Sequence, residues 1–120
     1  MLGPNDALVA DLDVLLADCY QRQQQLHKVR PLLLEASTIY EKSLGISNKR
    51  TIFSIMKLGQ VDRDENRSDL AKVELKKALD EAEKHFSNEK YLIFQCLCSY
   101  GSYLEQTGNA EEAKQVFARA

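Results

Sequence analysis

The chain resembles itself at a spacing of 42 residues, and this period constrains its fold more than any local feature. Ala17, Gly59 and Gly101 are small residues one period apart, each preceded by a large one, Leu16, Leu58 and Tyr100. The same step links Val29, Ala71 and Ala113, then Leu33, Leu75 and Phe117, then Ala36, Ala78 and Ala120. Leu2, Leu44 and Phe86 form a further column, followed by Gly3, Gly45 and Ser87. The 120 residues hold nearly three copies, so the expected core is a linear series of interfaces and not one central nucleus.

Within each copy the apolar spacing is helical. Ala71, Leu75, Ala78, Leu79 and Ala82 fall at i, i+4, i+7, i+8 and i+11, one stripe along a helix. Turn formers cluster at residues 3–5, 45–48, 65–67 and 107–109. Together these signals predict six helices, at residues 6–23, 27–44, 48–64, 67–86, 88–106 and 109–119, paired into three hairpins. Pro31 has no amide N–H to give to a helical ladder, so the second helix is expected to start late or to kink. The small-residue column marks where paired helices cross, because a larger side chain there would push the axes beyond the usual ~8–10 Å. Gly59 and Gly101 each cost roughly 1 kcal/mol of helix propensity relative to Ala, which close packing would offset.

These residues resemble the tetratricopeptide repeat. Leu58-Gly59 with Ala71, Leu75 and Ala78 matches its signature, as do Tyr100-Gly101, Gly108, Ala113, Phe117 and Ala120, and Leu16-Ala17-Asp18-Cys19-Tyr20 resembles its first helix. The period, longer than the usual ~34 residues, and the connector Leu2-Gly3-Pro4-Asn5-Asp6 are similar to the kinesin-light-chain subtype. The resemblance implies an all-α fold: a right-handed α-solenoid of three helix-turn-helix hairpins in one domain over residues 1–120, with repeats at about 3–44, 45–86 and 87–120. Asp13 and Asp62 depart from it, standing where the family usually has an apolar residue and an aromatic one. Neither end carries a polar capping helix, so a fragment of a longer array is expected, with self-association through uncapped terminal repeats as a second possibility.

Composition narrows the function classes. The net charge of −2 divides into seven basic and six acidic side chains in residues 1–60 and nine and twelve in 61–120, with no basic stripe to displace counterions from a nucleic acid. The longest mostly apolar stretch, residues 91–103, is interrupted by Gln95, Ser99, Gly101 and Ser102 and falls short of the ~20 residues of a membrane-spanning helix. Three cysteines at no framework spacing, and a start without basic and apolar signal regions, point to a reducing, cytoplasmic location.

No catalytic constellation emerges. His27 and His85 lack acid and nucleophile neighbours, and Cys96 and Cys98 diverge by roughly 200° on a helix and cannot share one zinc. Asp62, Asp64, Asn66 and Ser68 imitate the start of a calcium loop, but Arg67 replaces its glycine and Val73 its final glutamate. The chain therefore reads as a non-enzyme with no cofactor and no metal site.

What remains is a surface. The resemblance implies that the first helix of each repeat lines a concave groove for a partner's peptide or helix. Carried over by position, the groove comprises Asp11, Val14, Leu15, Asp18 and Arg22, then Phe53, Met56, Lys57, Gln60, Arg63 and Asp64, then Gln95, Ser99, Ser102 and Gln106. Phe53 and Met56 would anchor an apolar side chain, or else simply pack between helices. Lys57 is the one basic group among positions that clamp a terminal carboxylate in chaperone-binding repeats, so a chaperone-tail receptor is not expected. The resulting expectation is a protein-interaction scaffold or adaptor. The alternative is a structural spacer or oligomerisation segment with partners on its ends or convex face.

Overall fold

The computed structural model describes residues 6–119. Six α-helices follow one another: α1 (Ala7–Arg22), α2 (Val29–Ser43), α3 (Lys49–Asp64), α4 (Ser68–His85), α5 (Lys90–Gln106) and α6 (Ala110–Ala118). Each helix packs on the next and α3 also touches α5, giving three hairpins in a row with extents of 50 × 32 × 22 Å. This is an all-α helical repeat solenoid. The first connector (residues 2–5) and Ala120, both used in the sequence register, lie outside the described residues.

The period governs the backbone as well as the side chains. After α1, α3 and α5 the chain turns through Gln24, Asn66 and Gly108, one column, with φ of 60°, 65° and 84°. In each turn the N–H of the following residue reaches back across the helix end, Gln25 to Tyr20, Arg67 to Asp62 and Asn109 to Leu104, at 2.9, 2.7 and 2.8 Å. These bonds close a Schellman cap, which satisfies carbonyls that the helix end would otherwise leave free. At the starts of α1 and α3, Asp6 and Asn48 share another column. Each accepts a bond from the N–H two residues on, Leu8 at 2.8 Å and Arg50 at 2.9 Å.

Pro31 produces the late start expected of it. A 3-10 turn at Leu26–Lys28 precedes α2, which begins at Val29, so the missing N–H falls in the first helical turn, where no intrahelical partner exists.

The crossings are as close as the small residues demand. A Cβ built on Gly59 would lie 2.7 Å from Leu75 Cγ, and one on Gly101 would lie 2.6 Å from the Phe117 ring. Between hairpins the large residues take over: Leu58 and Val61 of α3 join Ala17, Val29 and Leu33 of the first hairpin in one buried cluster. Each fully buried leucine contributes about 1.5–3 kcal/mol by leaving water. Across the next junction, Met56 and Ile52 share a core with Leu92, Cys96 and Leu97.

Candidate functional site

The first helices α1, α3 and α5 carry all the positions expected to bind a partner, and the structure treats them unequally. On α3, Phe53, Lys57, Gln60 and Arg63 recur at i, i+4, i+7 and i+10 and stay partly exposed. The Lys57 ammonium stands over the Phe53 ring, 5.8 Å from its centroid. Gln60 Nε2 donates to Ser99 Oγ at 2.6 Å, and Arg63 donates to the Ser99 carbonyl at 3.4 Å and pairs with Asp64 at 3.2 Å. A polar seam thus joins α3 to α5 beside one aromatic ring. Gln95 and Ser102 flank it on α5, partly exposed, and Gln106 is exposed at the end of that helix.

Other positions face elsewhere. Met56 is 1% exposed, its Sδ 3.9 Å from Cys96 Sγ, so the packing alternative holds for it and it offers no anchor to a ligand. Phe53 packs against the edge of that same core and keeps part of its ring exposed, whereas Met56 lies wholly within it. Ser99 is likewise buried and serves as an acceptor for its neighbours. On α1, Asp11 is engaged by the Tyr40 hydroxyl and lies 3.6 Å from Arg50. Burial and that acid hold the Tyr40 hydroxyl well above its usual range. Asp18 and Arg22 form an exposed pair at 3.2 Å, Val14 packs against the core and Leu15 is exposed.

A second cluster was not anticipated. Asp62, a departure from the family pattern and the first residue of the calcium-loop imitation, is fully buried and accepts a 2.6 Å bond from Arg30 on α2, with Arg67 at 3.7 Å. Beside it, burial and the Asp62 carboxylate push Glu74 up to about 8. Asp62 Oδ2 and Glu74 Oε1 are both buried without another partner, and a proton on Glu74 lets the two bond to each other. Asp13, the other departure, is raised to about 6 by burial and Glu35. Arg30 and Asp62 tie α2 to α3, and Glu74 also lines a cleft on the side of the second helices.

On the side of the second helices, a cleft of about 460 Å³ opens between α2 and α4, with Ile55 and Leu58 among its lining and Leu34 and Val73 on its walls. The Glu41–Lys77 ion pair, 3.1 Å, crosses between the same two helices, and Glu83–Arg119 repeats it one period later between α4 and α6. Among the described residues no cluster of three His, Cys, Asp or Glu side chains could hold a metal ion, and no helix is long and apolar enough to cross a membrane.

Comparison with known families falls on the last hairpin: residues 94–120 match the tetratricopeptide repeat. The match takes in most of α5 and all of α6, and the 42-residue columns carry the same small and large positions back through the two preceding hairpins. A repeat of this kind implies protein partners. No curated protein matches the chain.

Proposed function

We propose that this chain, whose last hairpin matches the tetratricopeptide repeat, is a non-catalytic interaction module that holds a partner's peptide or helix across its first helices. The observation that carries this reading is the α3 row: Phe53, Lys57, Gln60 and Arg63 stay partly open, and Arg63 and Gln60 are braced by Ser99 on the next hairpin. A braced cation beside an aromatic ring suits a ligand with an acidic group next to an apolar one. Repeats of this family are typically non-catalytic scaffolds, which supports the same conclusion. The 42-residue period supports a kinesin-light-chain-like spacing, three cysteines at no framework spacing support a reducing, cytoplasmic setting, and a charge pattern without a basic stripe argues against a nucleic-acid partner.

Affinity capture from lysate tests this. The parent chain is compared with the variant Phe53→Ala/Lys57→Glu/Arg63→Glu and with Lys57→Glu alone, which breaks no bond between helices. Proteins retained by the parent and lost from both variants, at unchanged helicity, are the expected outcome. Identical sets from all three proteins would overturn the first-helix face as the binding surface. A second reading, a structural or oligomer-building segment, is favoured by one observation, an exposed row of leucines on α1.

A further inference from the structure

Leu8, Leu12, Leu15, Leu16 and Cys19 fall at i, i+4, i+7, i+8 and i+11 on α1, a single apolar stripe, and all five are exposed. One period on, Leu12, Leu16 and Cys19 become Ser54, Leu58 and Val61 on α3; two periods on, they become Cys96, Tyr100 and Tyr103 on α5. All six of those residues are buried. Leu16 is 44% exposed where Leu58 is 3% and Tyr100 6%. What covers them is the preceding hairpin: Leu58 and Val61 sit on Ala17, Val29 and Leu33, and Cys96 meets Met56. Leu12, Leu16 and Cys19 are therefore the backward half of an interface the molecule already uses twice, while Leu8 and Leu15, whose mates Arg50 and Lys57 on α3 stay open, extend the apolar stripe at its edge.

The forward half recurs on the last hairpin. The residues that receive Leu58, namely Ala17, Val29 and Leu33, correspond to Gly101, Ala113 and Phe117, and Phe117 is partly exposed where Leu33 and Leu75 are buried. Met56, which receives Cys96, corresponds to Cys98, also partly exposed. We propose that the chain assembles head to tail, the leucine stripe of α1 in one copy docking on the α5–α6 hairpin of a second copy. Register then seats Leu16 against Phe117 and Leu12 beside Cys98. Such a contact joins two different faces, so it propagates into a chain of copies or a ring.

Thiol capture reads this geometry directly. Leu12→Cys is made in a Cys19→Ser background; its column mates Ser54 and Cys96 show that the interface accepts a small residue there. Since Met56 Sδ and Cys96 Sγ are 3.9 Å apart, the introduced thiol and Cys98 of a neighbouring copy should fall within disulfide reach. Mild oxidation is expected to give a ladder of covalent dimers, trimers and longer species, lost when Cys98→Ser is added. Light scattering of the parent should show mass rising with concentration. Leu16→Glu, at an exposed position and with unchanged helicity, should raise the dissociation constant at least tenfold. A parent that is monomeric at every concentration would overturn the proposal, as would covalent dimers that survive Cys98→Ser, which would instead place α1 against α1.

Discussion

Asp62 and Glu74 on the middle hairpin hold the same places in the repeat as Leu104 and Val116 on the last. The last hairpin fills these places with two buried apolar side chains. The middle one fills them with two carboxyls that are tolerable only as part of a set: Arg30 from the first hairpin, Arg67 from the turn, and a proton on Glu74. The contrast teaches that the repeat dictates volume and position here, while polarity is free to change if every charge finds a partner. A buried pair gains little over apolar residues of equal volume, yet it is costly to break by halves. It also ties α2 of one hairpin to α3 of the next by a bond that the apolar version lacks.

The largest expected effect comes from breaking the set. Asp62→Ala strands Arg30 and leaves Glu74 without its partner, and should cost about 3–5 kcal/mol in urea denaturation. Leu104→Ala, at the matching place, should cost about 2–5 kcal/mol by leaving a cavity. Size does not separate the two, but rescue does. Adding Arg30→Met to Asp62→Ala should restore part of the loss by removing the unpaired cation, whereas Lys72→Met, one period on, should not rescue Leu104→Ala. If neither second substitution helps, the two hairpins lose stability in the same way and the contrast fails.

A smaller effect marks what the two hairpins share. Gly59 faces Leu75 and Gly101 faces Phe117 at nearly the same separation. Gly59→Leu and Gly101→Leu should therefore both overpack the crossing, each by roughly 1–3 kcal/mol or more. Thermal midpoints at or above the parent's would remove the crossing from either hairpin. A fall confined to one would show that the ring of Phe117 or the branch of Leu75 can move aside.

These comparisons also show which parts of the molecule were legible in the residues. Helix crossings were, because a close approach admits only small side chains and so leaves a periodic mark; the late start of α2 was, because proline removes a donor. The turn at Gln24 was not marked in this way: its φ of 60° is imposed by the cap, and glutamine gives no sign of it as Gly108 does. The site was less legible. Whether Phe53 or Met56 faces out depends on what the next hairpin presents, and the burial of Ser99 depends on α3. Arg30 and Asp62 are 32 residues apart, a separation unrelated to the period, so nothing in the spacing joined them. The α1 stripe has the pattern of a buried face, and its exposure follows from neighbours and not from its own residues.

The smallest and most selective expected effect is the proton on Glu74, for which Val116 on the last hairpin has no counterpart. Burial and Asp62 raise Glu74 from 4.5 to about 8. Between those values the folded chain binds a proton that the unfolded chain has released, so the contribution of Glu74 to stability is full below about pH 4.5 and is lost as pH rises through about 8. Glu74→Gln keeps the volume, retains a donor toward Asp62 and does not titrate. It should match the parent within about 0.5 kcal/mol at pH 5 and exceed it by about 1 kcal/mol at pH 9, a figure reduced for the solvent that partly reaches this group. Asp13, raised to about 6, adds a slope of the same sign at lower pH in both proteins and cancels in their difference. Urea denaturation at pH 5, 7 and 9 checks this. Parallel curves for parent and variant would mean that the middle hairpin buries its two carboxyls without sharing a proton, and would leave charge pairing with Arg30 as its sole difference from the apolar hairpin.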